Sequence, residues 1–385
     1  MRSGFTLETV SAGLLAAFVG FASSFPVVLK GLAAAGATPG QAASGLAALS
    51  AAMGVGAIWL SLKTRMPIFV AWSTPGAALL ASTGALDGGF AAAVGAFLLT
   101  NALLALSGVW RPLGALVQRI PASLAGAMLA GILLILCLAP VKAAAMAPAV
   151  ALPMIAAWAV TARFRRLMAV PAAVVAAAIG VAATAPQLPE AAALAPHLEW
   201  VWPTLTLPAV IGVALPLYLV TMASQNLPGL AVLKLNGYEP APGPLLRVTG
   251  LIGAVAAPFG GHAVNLAAIT AALCAGPDAH ADPARRWGAA VVAGLASIGL
   301  AFVAGAATAF ISVSPPILIE AVAGLALIPA FGAAMRAALA VEAEREAASV
   351  TFLVAASGVT IAGIGGAFWG LVAGGALLAL ARLRA

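Results

Sequence analysis

Two short stretches break a chain that otherwise reads as one apolar span after another. One is Trp72-Ser73-Thr74-Pro75-Gly76 and the other is Pro258-Phe259-Gly260-Gly261-His262. Hydrocarbon offers no partner for a freed N–H or C=O. Irregular backbone at membrane depth therefore survives only where protein buries it or a watery cavity receives it. One break falls in each half of the chain. Interrupted spans in corresponding places are the sequence sign of a midplane site in a secondary carrier.

The membrane assignment rests on composition. Hydrophobic residues make up 63% of the chain and charged residues 8%, whereas a soluble domain carries about 25% charged residues. So few charges cannot coat a water-facing surface. The net charge of +7 comes from cations standing singly or in short clusters between spans. That is a topology pattern rather than a nucleic-acid face. Cys137 and Cys274 lie within apolar runs and read as buried small hydrophobes, with neither a disulfide framework nor metal-ligand spacing. No cofactor is called for. The first apolar run outlasts a signal peptide and shows no convincing cleavage site, so no cleaved leader is expected.

Apolar windows of roughly 20 residues fall near 9–32, 40–62, 67–84, 88–109, 120–139, 146–162 and 168–185. A second set falls near 206–233, 244–258, 261–276, 286–310, 315–334, 346–361 and 363–381. The expectation is an all-α polytopic protein of about fourteen spans in two sets of seven. With a cytoplasmic N-terminus, sixteen of the 18 Lys and Arg residues fall on inside segments, among them Arg2, Arg111, Arg119 and Arg384. Only Lys30 and Lys142 fall outside. One missed span would invert everything downstream, so this asymmetry supports the count and places both termini in the cytoplasm. The longest outside segment carries Glu190, His197 and Glu199, followed by Trp200 and Trp202, which read as interfacial anchors. An odd number of spans per half makes the halves an inverted repeat.

In the first break, Ile68, Phe69, Val70 and Trp72 favour extended backbone. Thr74 suits an N-cap and Pro75 the first helical position. The third span is thus expected as a short extended segment followed by a half-helix, and the tenth span likewise. In the second break, Gly260 and Gly261 permit unusual dihedrals and close ligand approach. A half-helix from near His262 would run about 24 Å at 1.5 Å per residue before reaching Asp278. Two half-helix N-termini facing one another, each worth about half a positive charge, bind an anion without a buried Arg.

Ser224, Gln225 and Asn226 lie in the eighth span, with Gln225 about 13 Å inside the cytoplasmic boundary by helical rise. Polar side chains at that depth usually face the bundle interior. Substrate contact and interhelical hydrogen bonding both remain open for them. His262, with Asn265 beside it, is the only His at membrane depth; substrate contact, proton carriage and helix capping are its open roles. Glu320, a turn after Pro315-Pro316, is the second proton-carrying candidate, at the outer interface. Ser23 and Ser24, before Pro26, either line the cavity or let helices pack closely. An intramembrane enzyme needs a paired nucleophile and base or a metal cluster at shared depth, and no such set stands out.

These segments together resemble the benzoate/proton symporter family. The matching pieces include Ser11-Ala12-Gly13, Ser23-Ser24, Ala35-Gly36-Ala37-Thr38-Pro39, Arg65-Met66-Pro67 and Ala71-Trp72-Ser73-Thr74-Pro75-Gly76-Ala77. In the second half they include Ser224-Gln225-Asn226-Leu227-Pro228-Gly229, Gly237-Tyr238 and Phe259-Gly260-Gly261-His262-Ala263-Val264-Asn265 running on to Thr270. The family is similar in fold to the uracil and sulfate transporter group. The resemblance implies a core domain formed by 1–110 and 201–312, a gate domain formed by 111–200 and 313–385, and a homodimer in the bacterial cytoplasmic membrane. It implies a substrate site between the third and tenth spans, flanked by the eighth: Ser73, Thr74, Pro75, Gly76, Gln225, Asn226, Gly260, Gly261, His262, Asn265, Ser23 and Ser24. Proton coupling through His262 or Glu320 is expected, with benzoate or a related aromatic carboxylate as substrate. Nucleobase carriers of the wider group place an acid in the eighth span. The neutral Gln225 and Asn226 favour an anion instead, since a carboxylate would repel it. Another organic anion or a nucleobase is the alternative substrate.

Overall fold

A computed structural model of the chain describes residues 4–84, 86–110, 112–113, 120–184, 195, 197–267, 270–361 and 364–382. Arg2, Arg111, Arg119, Glu190 and Arg384 lie outside the described residues.

The first half opens with α1 (Leu7–Ala34), α2 (Pro39–Thr64), a strand β1 (Val70–Trp72), the half-helix α3 (Thr74–Thr83) and α4 (Gly89–Ser107). It continues with α5 (Ala122–Cys137), α6 (Ala139–Met146), α7 (Pro148–Phe164) and α8 (Ala169–Thr184). In the second half one long helix, α9 (Leu207–Leu235), precedes α10 (Pro242–Ala256), β2 (Val264–Leu266) and α11 (Ala271–Ala275). Then come α12 (Trp287–Ala301), α13 (Ala304–Val313), α14 (Pro316–Leu339), α15 (Arg345–Ala356) and α16 (Gly366–Arg382).

Seven helices among the described residues are long and apolar enough to cross a bilayer, and a pair bent by 52° around Phe302-Val303 makes an eighth. The helices α7 and α16 are apolar but shorter; α3 has 10 residues and α11 only 5. The sequence windows for spans thirteen and fourteen differ in one respect. Here α15 stops at Ala356, and Thr360–Ile361 pairs antiparallel with Ile364–Gly365 before α16 begins. Val359, Thr360 and Ile361 are consecutive β-branched residues, which favour extended backbone.

Two packed groups organise the helices. In one, α1 packs on α3 and α12, α2 on α12 and α10, and α4 on α10. In the other, α14 packs on α5, α6 and α8, and α5 on α15 and α16. Val150, Met154 and Val181 bury against Leu318, Val322 and Leu325 in the second group. The half-helix α3 touches both groups, through α1 on one side and α5 on the other. Ala and Gly dominate these contacts, as expected where close van der Waals approach rather than hydrophobic transfer drives association. Large apolar side chains such as Leu14, Trp59, Ile179 and Val255 point outward, which is favourable only against lipid.

The central feature is β1 paired antiparallel with β2, in the register Val70 to Leu266, Ala71 to Asn265 and Trp72 to Val264. The pairing extends through Ser73 N–H to the Ala263 carbonyl (3.1 Å) and Ala267 N–H to the Phe69 carbonyl (2.9 Å). Corresponding segments of the two halves running in opposite directions are what an inverted repeat produces.

Candidate functional site

The first break forms as the sequence predicts, one residue early. Ser73, not Thr74, is the N-cap: its Oγ accepts from Gly76 N–H at 3.1 Å, and Thr74 and Pro75 occupy the first two helical positions. Ser73 wins because its N–H is held by Ala263 at the end of the strand pair. Its extended backbone is therefore fixed before the helix begins. Thr221 of α9 donates to the same Ser73 Oγ at 2.9 Å. Ser73 is fully buried, whereas Thr74 is half-buried. No hydrogen bond from Thr74 N–H is made among the described residues, and Pro75 has no N–H to offer. The half-buried Thr74 thus presents a free donor at the positive end of a helix.

The second break keeps the expected order of extended segment then helix, but its helix does not start where expected. No half-helix starts near His262. Gly260 turns the chain at φ +92°, residues 264–266 run extended, and α11 begins only at Ala271. The reason is pairing: Val264, Asn265 and Leu266 lie in antiparallel register with β1, flanked by the Ser73–Ala263 and Ala267–Phe69 hydrogen bonds, which satisfies that backbone better than a helix end projecting into apolar surroundings. Only Gly260 of the two glycines needs the left-handed region. The picture of two opposed half-helix termini therefore reduces to one well-formed terminus, that of α3, facing an extended segment.

A strand pair has two outer edges, and in a bilayer each must be satisfied. On β1, Ser61 Oγ bonds both the N–H and the carbonyl of Ile68, and Trp72 N–H meets Met53 Sδ at 3.0 Å. On β2, three carboxamides do the work. Asn101 of α4 donates to the His262 carbonyl at 2.9 Å and accepts from Val264 N–H at 3.3 Å. Asn226 of α9 accepts from Leu266 N–H at 3.0 Å, and Asn265 donates to the Leu266 carbonyl at 2.9 Å. Together they stand in for a third strand.

His262 is fully buried, with Phe97 edge-on at 6.3 Å. Its Nε2 lies 2.9 Å from the Ser73 carbonyl. A carbonyl only accepts, so Nε2 carries the proton and Nδ1 is left as an acceptor. Neither Nδ1 nor the Oδ1 of Asn265 has a partner among the described residues.

Helix α9 contributes through an irregularity. Its Met222–Asn226 segment is a π-turn, a local widening often found where a helix carries function. Thr221 reaches Ser73 and Asn226 reaches Leu266, so this face of α9 looks onto the breaks. Gln225 lies between them in sequence, half-buried and without a hydrogen bond among the described residues. The carboxamide pair is thus divided: Asn226 is fully buried and occupied, Gln225 is free. The serine pair divides likewise. Ser24 is buried and accepts from Trp72 Nε1 at 2.9 Å, while half-buried Ser23 bonds only the Gly20 carbonyl of its own helix. Glu320 stands apart from all of these, paired with Lys30 where α14 meets α1.

Asn101 and Thr221 are absent from the sequence-derived site. A carboxamide alone in the apolar run of α4 was a legible signal by the cost of polar groups at that depth. Thr221 carried none, because a threonine in a membrane helix ordinarily bonds its own backbone.

Residues 3–380 match the family described as benzoate membrane transport protein. The chain is 42% identical over 368 residues to the inner membrane protein YdcO of Escherichia coli, covering 95% of this chain and 94% of that one. It is 30% identical over 382 residues to the benzoate membrane transport protein of Acinetobacter baylyi, covering 97% and 95%. Among solved structures it is similar to the transmembrane domain of the cyanobacterial bicarbonate transporter BicA, with a TM-score of 0.59, 16% identity and 98% of each chain covered. That likeness speaks to the fold.

Proposed function

The chain belongs to the benzoate membrane transport protein family, and on that premise we propose that it carries benzoate or a related aromatic carboxylate inward together with a proton. The observation that carries this reading is the free, half-buried carboxamide of Gln225 on the α9 face that reaches Ser73. A neutral amide donor, the unpaired Thr74 N–H and the positive end of α3 suit a carboxylate. Ser23 adds a hydroxyl, and Pro75 and Gly76 shape the start of α3. Gly260 and Gly261 shape the opposite wall, with His262, Asn265 and Asn226 behind it. No fixed cation is needed.

A benzoate anion moving toward a negative interior is opposed by about 2.3 kcal/mol per 100 mV. One accompanying proton makes the movement electroneutral. In this reading His262 Nδ1 is the position that takes the proton, with Glu320 as the other candidate. The core assigned to 1–110 and 201–312 would move against the gate of 111–200 and 313–385, exposing the site alternately to each side. The seating of α3 and α9 against α5 supports a site at that seam. Both termini cytoplasmic, about fourteen spans, a bacterial cytoplasmic membrane and a homodimer complete the proposal.

The test is counterflow in proteoliposomes loaded with benzoate and challenged with labelled aromatic acids, nucleobases and inorganic anions. Exchange confined to aromatic acids and stimulated by an inward proton gradient is the expected result. Exchange of uracil or bicarbonate without benzoate would reject the substrate, and non-saturating flux would point to a pore.

A further inference from the structure

We propose that Asn101 is the positioning residue of the site: it holds the second break in shape without touching substrate. The inference rests on the reading of that break as one wall of the substrate site. Asn101 is fully buried in α4. Its Nδ2 donates to the His262 carbonyl at 2.9 Å and to the Phe97 carbonyl of its own helix at 2.8 Å, and its Oδ1 accepts from Val264 N–H. A residue of a parallel strand reads an edge in this same way, its N–H donating to one residue's carbonyl and its C=O accepting from the N–H two residues on. Of the uncharged side chains, only a carboxamide offers two N–H donors and an acceptor from one rigid plane, and Asn101 uses all three.

The neighbouring helix is built around this side chain. A Cβ placed on Gly253 of α10 would overlap the Asn101 carboxamide, so the glycine leaves room for it. The consequence reaches the first break as well. Fixing the His262 backbone fixes the ring whose Nε2 bonds the Ser73 carbonyl, and Ser73 caps α3. One buried amide on α4 thereby sets both walls.

The experiment uses the full-length protein purified in detergent, with hydrogen exchange and labelled-benzoate binding measured side by side. Asn101→Ala leaves the His262 carbonyl and Val264 N–H unpaired. Amides of 260–267 should exchange at least tenfold faster while α12 keeps its protection, and benzoate affinity should fall at least tenfold. Gly253→Ala, which keeps the carboxamide but crowds it, should move both readouts the same way, and it replaces Asn101→Ala if that variant does not fold. Ser297→Ala is the control, since Ser297 is equally buried but bonds only Ala293 of its own helix; both readouts should stay within twofold of wild type. Unchanged exchange at 260–267, unchanged affinity in the face of faster exchange, or equal effects from Ser297→Ala would each overturn the proposal. If wild type binds no benzoate, the substrate reading fails, and exchange at 260–267 alone then decides the role of Asn101.

Discussion

Gln225 and Asn226 are adjacent carboxamides at the same depth, yet the structure gives them opposite duties, and substituting each with Ala should separate the two. Among the described residues the Gln225 side chain makes no hydrogen bond to be lost on truncation, and Gln and Ala are both good helix formers. Stability should therefore stay within about 0.5 kcal/mol, as for positions away from special features. What is lost is a hydrogen bond to a charged ligand, worth about 1.5–3 kcal/mol, or roughly 10- to 150-fold in Kd. Asn226→Ala is the reverse case. It orphans Leu266 N–H, which is bonded at 3.0 Å by a fully buried side chain. A buried donor left without a partner costs about 1–3 kcal/mol, and the weak Asn226 contact to Met222 Sδ at 3.6 Å is lost with it.

Purified variants would be followed by tryptophan fluorescence during thermal unfolding and by scintillation proximity with labelled benzoate. Gln225→Ala should unfold with wild type and bind weakly. Asn226→Ala should unfold earlier, and adding benzoate should recover part of the loss, because ligand stabilises the folded state by mass action. Reasoning from the geometry fails if the pattern is exchanged: Gln225→Ala unfolding early with unchanged Kd, or Asn226→Ala indistinguishable from wild type in stability.

The architecture was legible because the constraints on it are coarse. Bilayer thickness sets span length, and Trp72-Ser73-Thr74-Pro75-Gly76 announces a helix start wherever it occurs. The strand at Val70–Trp72 followed from β-branched and aromatic residues. The second break misled because Gly260-Gly261-His262 marks where a helix cannot continue but not where the next one begins. That was decided by pairing with β1, a contact between Trp72 of one half and Val264 of the other that no local preference encodes. For the same reason the polar residues of the site could be named but not sorted. Ser24 and Asn226 brace the fold while Ser23 and Gln225 remain free, and neighbours in sequence differ only in which way the helix turns them. In α9 the π-turn at Met222–Asn226 shifts that phase, so a regular helical wheel would assign the faces wrongly.

Three further outcomes follow from the same contacts. Ser73→Ala removes the cap of α3 and strands the Thr221 hydroxyl. It should lower stability by about 0.5–2 kcal/mol and weaken benzoate binding, measured as for Gln225. His262→Gln should retain benzoate exchange but lose uphill accumulation driven by a pH gradient; accumulation at the wild-type level would move the proton to Glu320 or to the substrate as neutral acid. The Lys30–Glu320 pair should contribute little to folding. Its side chains are 32% and 30% exposed, so water screens the attraction, and a double-mutant cycle with Lys30→Gln and Glu320→Gln should give a coupling of about 0–1 kcal/mol. The pair nonetheless joins α1 to α14, which belong to different packed groups. If those groups move against each other during transport, the pair must break, and even a small coupling shifts the balance between states. Neutralising both partners should therefore change the rate of benzoate exchange more than the unfolding temperature. A coupling above about 2 kcal/mol, or a rate unaltered in the double variant, would contradict that account.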